Sequence, residues 1–278
     1  MELTVLLYLT NRCNLFCDHC DMSSGNPLPN ELSTPEILAL TTKLKEQGIE
    51  KISLSGGEPV QHKDFFKIAQ SFIDKGFKVS VITNATFSEA YYKKFLDVKF
   101  DKIYISLDGL ENTHNLFRRS GLSYKRVMNF LEFLSLSSPL ETANGVVQRS
   151  LLDISVITCV NSHSINDLEG LHEELLNYRI SEWLLRPVEM LGRAKEHIEL
   201  SLSDSDRETL EVFLKKNFHE DDENAENRVV QPSLAENMGK NKHSNLKPSL
   251  YSHPESLLEI MANGEFRNGE FRPQIQSA

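Results

Sequence analysis

The chain has 278 residues, 40% of them hydrophobic, and a formal net charge of -10 at pH 7. This length allows a full hydrophobic core, in one large α/β domain or two smaller ones. The negative charge argues against nucleic acid or an anionic membrane surface as a partner, and no stretch reaches the roughly 18 to 20 apolar residues that span a bilayer.

The four cysteines are unevenly spaced, and no apolar signal stretch follows Met1. This arrangement does not resemble the disulfide framework of a small secreted domain. We therefore expect a cytoplasmic protein with reduced cysteines.

Short β-rich segments alternate with longer helical segments up to residue 218. The pattern predicts strands at 3–9, 51–55, 78–83, 102–108, 151–160 and 182–188. It predicts helices at 33–48, 62–76, 88–99, 124–136, 165–178 and 204–218. Such alternation is typical of parallel strands joined by right-handed helical crossovers. The fold is therefore predicted as α/β, either a doubly wound sheet or a complete or partial β/α barrel.

The periodic pattern stops after residue 218. The segment 219–249 is rich in Asn, Glu and Lys and has few large apolar side chains to offset the entropy of ordering. We expect a first domain at 1–218 and a polar, poorly ordered extension at 219–278. A short helix is predicted at 254–262, followed by two copies of NGEFR.

Three of the four cysteines lie within eight residues, in the stretch NRCNLFCDHC. Cys13, Cys17 and Cys20 follow the first predicted strand, and such βα loops form the active site of parallel α/β folds. Three close thiolates indicate an iron–sulfur cluster in which one iron lacks a protein ligand. The alternative is structural zinc with His19 or a distant fourth ligand, although zinc sites usually pair two C-x₂-C sequences and the chain has no second one.

Glycine or polar residues also follow the other five predicted strands. In SGGEP (55–59), two glycines allow close approach of the backbone to a ligand, and Glu58 can accept hydrogen bonds from an ammonium group. The other strand ends carry TNA (83–85), SLDG (106–109), CVN (159–161) and RPVE (186–189). Each stretch alone is compatible with an ordinary turn or a solvated surface. Their joint placement predicts a site.

The sequence C-x₃-C-x₂-C after the first strand, with GGEP at 56–59, resembles the signature of radical S-adenosylmethionine (radical SAM) enzymes. The resemblance covers roughly residues 3 to 200. It implies a partial (β/α)6 barrel with a 4Fe–4S cluster on Cys13, Cys17 and Cys20, and SAM bound at the fourth iron. It also implies reductive cleavage of SAM to a 5′-deoxyadenosyl radical that abstracts hydrogen from a substrate.

The same resemblance implies a set of SAM contacts at the strand ends. Those expected near the amino group are Gly56, Gly57, Glu58 and Pro59, and those expected near the carboxylate and ribose are Thr83, Asn84, Ser106 and Asp108. One of Arg118 and Arg119 is expected to pair with the carboxylate, which suits a guanidinium. His19 is expected near adenine, and Asn161 and Arg186 complete the predicted set.

The stretches SLDGLENTHNLFRRSGLSYKRVMNFLEFL and RPVEMLGRA resemble the SPASM branch of the family, whose members often modify ribosomal peptides or proteins. That branch binds auxiliary clusters through further cysteines, and no cysteine follows Cys159 here. We expect a peptide or protein substrate. The alternatives are a small metabolite or nucleotide, or a non-catalytic protein that keeps the cluster or SAM site. A low-potential donor of the flavodoxin or ferredoxin type is also expected; because these donors are acidic, docking requires a local basic patch.

Cys159 ends the fifth predicted strand and has two interpretations. Cysteine is among the most frequently buried residue types, which favours a small core residue. By resemblance to peptide epimerases of the family, its thiol would instead donate a hydrogen atom to the substrate.

Overall fold

The computed structural model describes residues 4–137, 152–217, 248–250 and 257–267. The strands are β1 (Thr4–Tyr8), β2 (Lys51–Ser55), β3 (Lys78–Thr83), β4 (Lys102–Ser106), β5 (Asp153–Val160), β6 (Glu182–Pro187), β7 (Pro248–Leu250), β8 (Leu257–Ile260) and β9 (Phe266–Arg267). The α-helices are α1 (Thr34–Glu46), α2 (Phe65–Asp74), α3 (Tyr92–Asp97), α4 (Glu111–Phe117), α5 (Ser123–Ser137), α6 (Leu168–Leu175) and α7 (Asp204–Asn217). Within these ranges, no helix has the length and apolar character needed to cross a membrane.

The six strands predicted from the sequence correspond to β1 through β6, and the six predicted helices to all the described α-helices except α4. Helix α4 is absent from the prediction because its seven residues, ENTHNLF, include Asn, Thr and His, which are weak helix formers. The sequence therefore predicts the βα alternation correctly.

Helix α1 shows how the sequence fixes the end of the cysteine loop. Ser33 is its N-cap, and the Glu36 carboxylate accepts a hydrogen bond from the Ser33 N–H at 2.7 Å, as part of a capping box. After the helix, Gly48 has a φ of +73°, a conformation that favours glycine. The loop between β1 and α1 therefore ends at Ser33.

The described residues form two compact units. The first contains residues 4–16, 22–103 and 257–267, and the second contains 17–21, 104–137, 152–217 and 248–250. The strand order in the first unit is β3-β2-β1-β8-β9, with parallel pairing throughout except between β8 and β9. In the second unit, β6 pairs in parallel with β5 and β7.

Each unit has its own aromatic core. In the first, the rings of Phe65 and Phe100 stack with centroids 6.1 Å apart, beside fully buried Phe95. In the second, fully buried Trp183 packs edge-on against Phe213 and donates its indole N–H to the Thr158 hydroxyl at 2.8 Å. The buried tryptophan therefore has the polar partner it requires.

The helix predicted at 254–262 is wrong for its described part. Residues 257–260 form β8, which pairs in parallel with β1 so that Leu258 lies beside Val5. Pairing with β1 overrides the helix propensity of a segment rich in Leu, Glu and Met. Most of the predicted poorly ordered extension, namely residues 219–247, 251–256 and 268–278, lies outside the described residues, and so does the second NGEFR copy.

Candidate functional site

The first part of the cysteine loop is fixed by the glycines after β2. The Gly57 N–H donates to the Thr10 carbonyl at 2.7 Å, and the Glu58 N–H donates to the Arg12 carbonyl at 2.9 Å. A β-carbon on Gly57 would lie 2.5 Å from the Arg12 carbonyl oxygen. A β-carbon on Gly56 would overlap the Thr10 carbonyl oxygen. Glycine is therefore required at both positions because the loop backbone comes this close. The predicted close approach of a ligand stays a prediction.

Glu58 joins the ends of β2 and β3. It is fully buried, and its carboxylate accepts hydrogen bonds from the Thr83 hydroxyl at 2.8 Å and the Asn84 N–H at 2.7 Å. It also accepts from the Val60 N–H at 3.2 Å and so caps the short 3-10 turn Pro59–Gln61. Its predicted contact with the amino group of SAM stays a prediction.

Asn84 connects the end of β3 to the first cysteine of the loop. Its side-chain amide nitrogen lies 3.1 Å from the Asn14 carbonyl oxygen (Oδ1) and 3.7 Å from Cys13 Sγ. Its own Oδ1 accepts a hydrogen bond from the Thr86 N–H at 2.9 Å, which fixes the amide. An N–H group therefore faces a predicted iron ligand, a contact that the sequence does not reveal.

The second part of the loop, residues 17–21, contacts the 3-10 turn Gly192–Glu196 that follows β6. The backbone N–H of Arg193 donates to the Cys20 carbonyl at 2.9 Å, and its Nε donates to the Cys17 carbonyl at 2.8 Å. Arg193 is buried, with 6% exposure. Neither Gly192 nor Arg193 was a predicted site residue; the sequence offered only the stretch RPVEMLGRA as a signal.

Two carboxylates of the same loop segment are bound by arginines. Asp18 pairs with Arg119 and lies 3.4 Å from Nε2 of His197. Asp21 lies 3.2 Å from the Arg186 guanidinium. The predicted SAM contacts of Arg186, and of either Arg118 or Arg119, stay predictions. In the structure, the Arg119 guanidinium pairs with Asp18 and the Arg186 guanidinium pairs with Asp21.

Asp108, two residues after the end of β4, is the centre of a buried ionic network. Its Oδ2 accepts a hydrogen bond from Arg118 Nε at 2.7 Å and lies 3.4 Å from His19 Nε2, while its Oδ1 accepts from the Cys159 N–H at 3.1 Å. Burial alone would raise the pKa of Asp108, but the neighbouring Arg118, His19 and His114 outweigh this effect and hold the pKa well below its usual range. Asp108 is therefore ionised at neutral pH and holds Arg118.

His114 of α4 extends this network and is absent from the predicted set. Its Nδ1 accepts the Asp108 N–H at 3.1 Å, which places the ring proton on Nε2, 2.9 Å from the Ser123 hydroxyl oxygen. Burial, followed by the charge of Arg118, lowers the pKa of His114 to about 3. The ring is therefore neutral at physiological pH.

His19 provides a test of whether the site fits a bound cofactor. Its Nδ1 is buried and has no hydrogen-bond partner within the described ranges. Burial lowers the pKa of His19 more than the neighbouring Asp108 raises it. A buried ring nitrogen of this kind needs a partner, and a bound molecule can supply one. The residue fits the predicted adenine contact, which stays a prediction.

The remaining predicted residues have simpler surroundings. Ser106 ends β4 and is half-buried. Asn161 is buried, and its side-chain oxygen accepts hydrogen bonds from the backbone N–H groups of His163 at 3.0 Å and Ser164 at 3.1 Å, as in an Asx turn. Cys159 is half-buried, and burial raises the pKa of its thiol, so the thiol keeps its proton at neutral pH.

All four cysteines lie in the described part of the chain, and none forms a disulfide. Across the described ranges, no three His, Cys, Asp or Glu side chains converge on a point that could hold a metal ion. The assignment of Cys13, Cys17 and Cys20 as cluster ligands therefore rests on their spacing, and it stays a prediction.

Comparison with known proteins identifies the domain. Residues 7–138 match the Radical SAM superfamily. The chain therefore carries a radical SAM domain. Members of this superfamily use a 4Fe–4S cluster and SAM, and the homologues of this chain in it are enzymes.

The radical SAM domain is similar to curated proteins with different roles. The sporulation killing factor maturation protein SkfB of Bacillus subtilis is 29% identical over 166 residues, which cover 58% of this chain and 40% of SkfB. A probable GTP 3′,8-cyclase of Methanococcus maripaludis is 36% identical over 107 residues, covering 38% of this chain and 36% of the cyclase. The chain spans less than two thirds of the length of either relative.

Solved structures share the fold. Streptococcus suis SuiB bound to S-adenosylmethionine superposes with a TM-score of 0.65 at 14% identity, over 96% of this chain and 60% of SuiB. SuiB bound to the precursor peptide SuiA gives a TM-score of 0.66 at 12% identity, over 96% and 59% of the two chains. The predicted α/β partial barrel of the radical SAM type is confirmed.

Proposed function

We propose that this protein is a radical SAM enzyme that acts on a peptide or protein. The observation that carries the proposal is the C-x₃-C-x₂-C loop after β1, whose backbone is held by hydrogen bonds from Gly57 and Glu58. When bound, the cluster and SAM supply the one-electron chemistry that removes a hydrogen atom from the substrate. A donor of the flavodoxin or ferredoxin type supplies the electron, and the proposed location is the reducing cytoplasm, where thiolate ligands persist.

The residues of the chain have separate tasks in this proposal. Cys13, Cys17 and Cys20 hold the cluster, and the Asn84 amide donates to the first of these ligands. His19 offers its buried Nδ1 to the bound cofactor. Cys17 and Asn84 are buried, whereas Cys13 and Cys20 are half-buried.

Two substrate classes are supported by different relatives. SkfB is a maturation protein by name, and SuiB was solved with a precursor peptide, which favours a peptide substrate. The GTP 3′,8-cyclases act on a nucleotide, which supports a small molecule as the second candidate. A short precursor-peptide gene beside the gene for this protein would identify a peptide to test. A change in the mass of that peptide on incubation with the reconstituted enzyme, SAM and dithionite would support the peptide substrate. A mass change confined to a nucleotide or metabolite would support the second.

Anaerobic reconstitution tests the proposed function directly. We expect about four irons per chain and absorption near 400 nm, since the loop provides three thiolates for one cluster. Addition of SAM and dithionite should then yield 5′-deoxyadenosine. Bound iron without 5′-deoxyadenosine would favour the non-catalytic alternative, whereas a colourless protein with one zinc would favour the zinc alternative.

Two cysteine variants form a matched pair for this test. Cys17→Ala is expected to lower bound iron about tenfold or more, because a cluster ligand is lost. Cys159→Ala should retain its iron, because this residue lies outside the loop. Analysis of the substrate product made by Cys159→Ala also tests hydrogen donation, and an unchanged product would contradict that role.

Replacing Asn84 with alanine is expected to make the cluster harder to reduce. An N–H group that donates to a thiolate ligand stabilises the more electron-rich reduced state. At a fixed solution potential, the ratio of reduced to oxidised cluster should fall about three- to tenfold, where tenfold corresponds to about 59 mV for one electron. A redox titration followed by electron paramagnetic resonance (EPR) measures this ratio. The exposed Asn177→Ala variant is the control, and equal midpoints for all three proteins would exclude the effect.

A further inference from the structure

The carbonyl groups of Cys17 and Cys20 share one hydrogen-bonding partner residue. The Cys17 carbonyl accepts from Arg193 Nε at 2.8 Å and from the Cys20 N–H at 3.3 Å. The Cys20 carbonyl accepts from the backbone N–H of Arg193 at 2.9 Å. Fixing a carbonyl restricts the backbone dihedrals of its residue, and these set the direction of the Cα–Cβ bond. A single arginine residue therefore restrains the Cα–Cβ directions of two cysteines.

Gly192 allows Arg193 to reach this position. Its φ is +52°, and a β-carbon at this residue would lie 2.5 Å from the Cys20 carbonyl oxygen. Both the conformation and the contact therefore require glycine. By comparison, Gly48 has a φ of +73°, but a β-carbon there would meet nothing within 4 Å, so the close contact is a separate requirement at Gly192.

The Arg193 side chain is suited to holding a loop. It is 6% exposed, and its guanidinium donates to a carbonyl in a buried setting, where hydrogen bonds from charged donors are among the stronger ones. Lys195 lies on the same 3-10 turn but is exposed. The contact with the loop is therefore specific to position 193.

We propose that Gly192 and Arg193 form a clamp that directs the Cys17 and Cys20 thiols toward the cluster. Both are positioning residues, since they act through the backbone of the ligands. The proposal rests on the proposed function, because it assumes that the loop holds a cluster. Supporting groups behind metal ligands typically contribute about 10- to 100-fold to metal affinity.

The test compares the loss of the cluster to an iron chelator in reconstituted full-length variants. Arg193→Met should lose its 400 nm absorption about tenfold faster than the wild-type protein, as expected for a missing supporting group. Arg193→Lys, which keeps a charged donor, should fall between the two. Gly192→Ala should also accelerate the loss. Two controls should match the wild type: Gly48→Ala, at a glycine that also has a positive φ but no close contact, and Lys195→Met.

EPR spectra of the reduced cluster separate positioning from general destabilisation. We expect Arg193→Met to change the g-values of the folded, cluster-loaded protein, and Arg193→Lys to restore them in part. The proposal is overturned if Arg193→Met and Gly192→Ala lose iron to the chelator at the wild-type rate and give wild-type spectra, even if their melting temperatures are lower. If Arg193→Met does not fold, Arg193→Lys and Gly192→Ala carry the same test. Failure of the wild-type protein to bind iron would instead reject the proposed function.

Discussion

Replacing Asp108 with asparagine is expected to reduce the free energy of unfolding by about 3 to 5 kcal/mol, the usual effect of removing one partner from a buried ion pair. Asp108 is 1% exposed and Arg118 is 7% exposed, with 2.7 Å between Oδ2 and Nε. The asparagine amide would leave the Arg118 charge without its counter-ion in a buried position. Urea denaturation at pH 7 measures the change.

Two further variants separate the ion pair from a local packing effect. Asp101→Asn removes an exposed carboxylate and should change stability by less than about 0.5 kcal/mol. The double variant Asp108→Asn/Arg118→Met removes both charges and should recover part of the loss, because no unpaired charge remains buried. If Asp108→Asn and the wild-type protein have the same midpoint of urea denaturation, the ion pair has no role in stability.

The stabilising effect of Asp108 should depend on pH in one direction only. Because its pKa is held below the unfolded value of about 3.9, the folded state favours the ionised carboxylate. Its contribution is complete above about pH 4 and is lost as the pH falls toward the folded pKa. The difference in stability between wild type and Asp108→Asn should therefore be constant from about pH 8 to pH 5 and shrink below about pH 4. A difference that grows on acidification would contradict this assignment.

Replacing Gly57 with alanine is expected to reduce bound iron about tenfold or more, since the first part of the cysteine loop could not keep its path. The added carbon would lie 2.5 Å from the Arg12 carbonyl oxygen and 2.6 Å from that of Asn11, and both are backbone atoms. The loop would have to move, which would also weaken the hydrogen bond between the Gly57 N–H and the Thr10 carbonyl. Iron content and absorption near 400 nm after reconstitution measure the loss.

Gly121→Ala is the matched control for this variant. A β-carbon on Gly121 would meet no atom within 4 Å, and this residue has no positive φ. It should bind as much iron as the wild-type protein. Equal iron in Gly57→Ala and Gly121→Ala would show that the close approach of the loop is not needed for the cluster.

The sequence predicts the βα alternation because its signals are local. The capping box of α1 and the glycine after it fix that helix without reference to the rest of the chain. Residues 257–260 differ because their conformation depends on pairing with β1, to which they are distant in sequence. Local propensity alone favours a helix there.

The sequence predicts many of the residues that form the candidate site, but only some of the contacts that these residues make. The cysteine spacing and the glycines at 56 and 57 identify the loop and its neighbour. The predicted pairing of Arg118 or Arg119 with the SAM carboxylate stays a prediction. The contacts of Arg118 with Asp108 and of Arg119 with Asp18 were not predicted from the sequence. Gly192–Glu196 was outside the predicted set, because a backbone contact between distant segments leaves no pattern in a single sequence.

The pairing of β8 with β1 has a consequence for synthesis of the protein. Thr4 pairs with Leu257, so the two strands are 253 residues apart in the chain. At a translation rate of about 5 to 20 residues per second, on the order of 10 to 50 seconds separate the emergence of the two strands from the ribosome. During this interval one hydrogen-bonding edge of β1 cannot pair with β8. Unpaired strand edges promote association between chains, so chaperone dependence during translation is expected to be greatest in this interval.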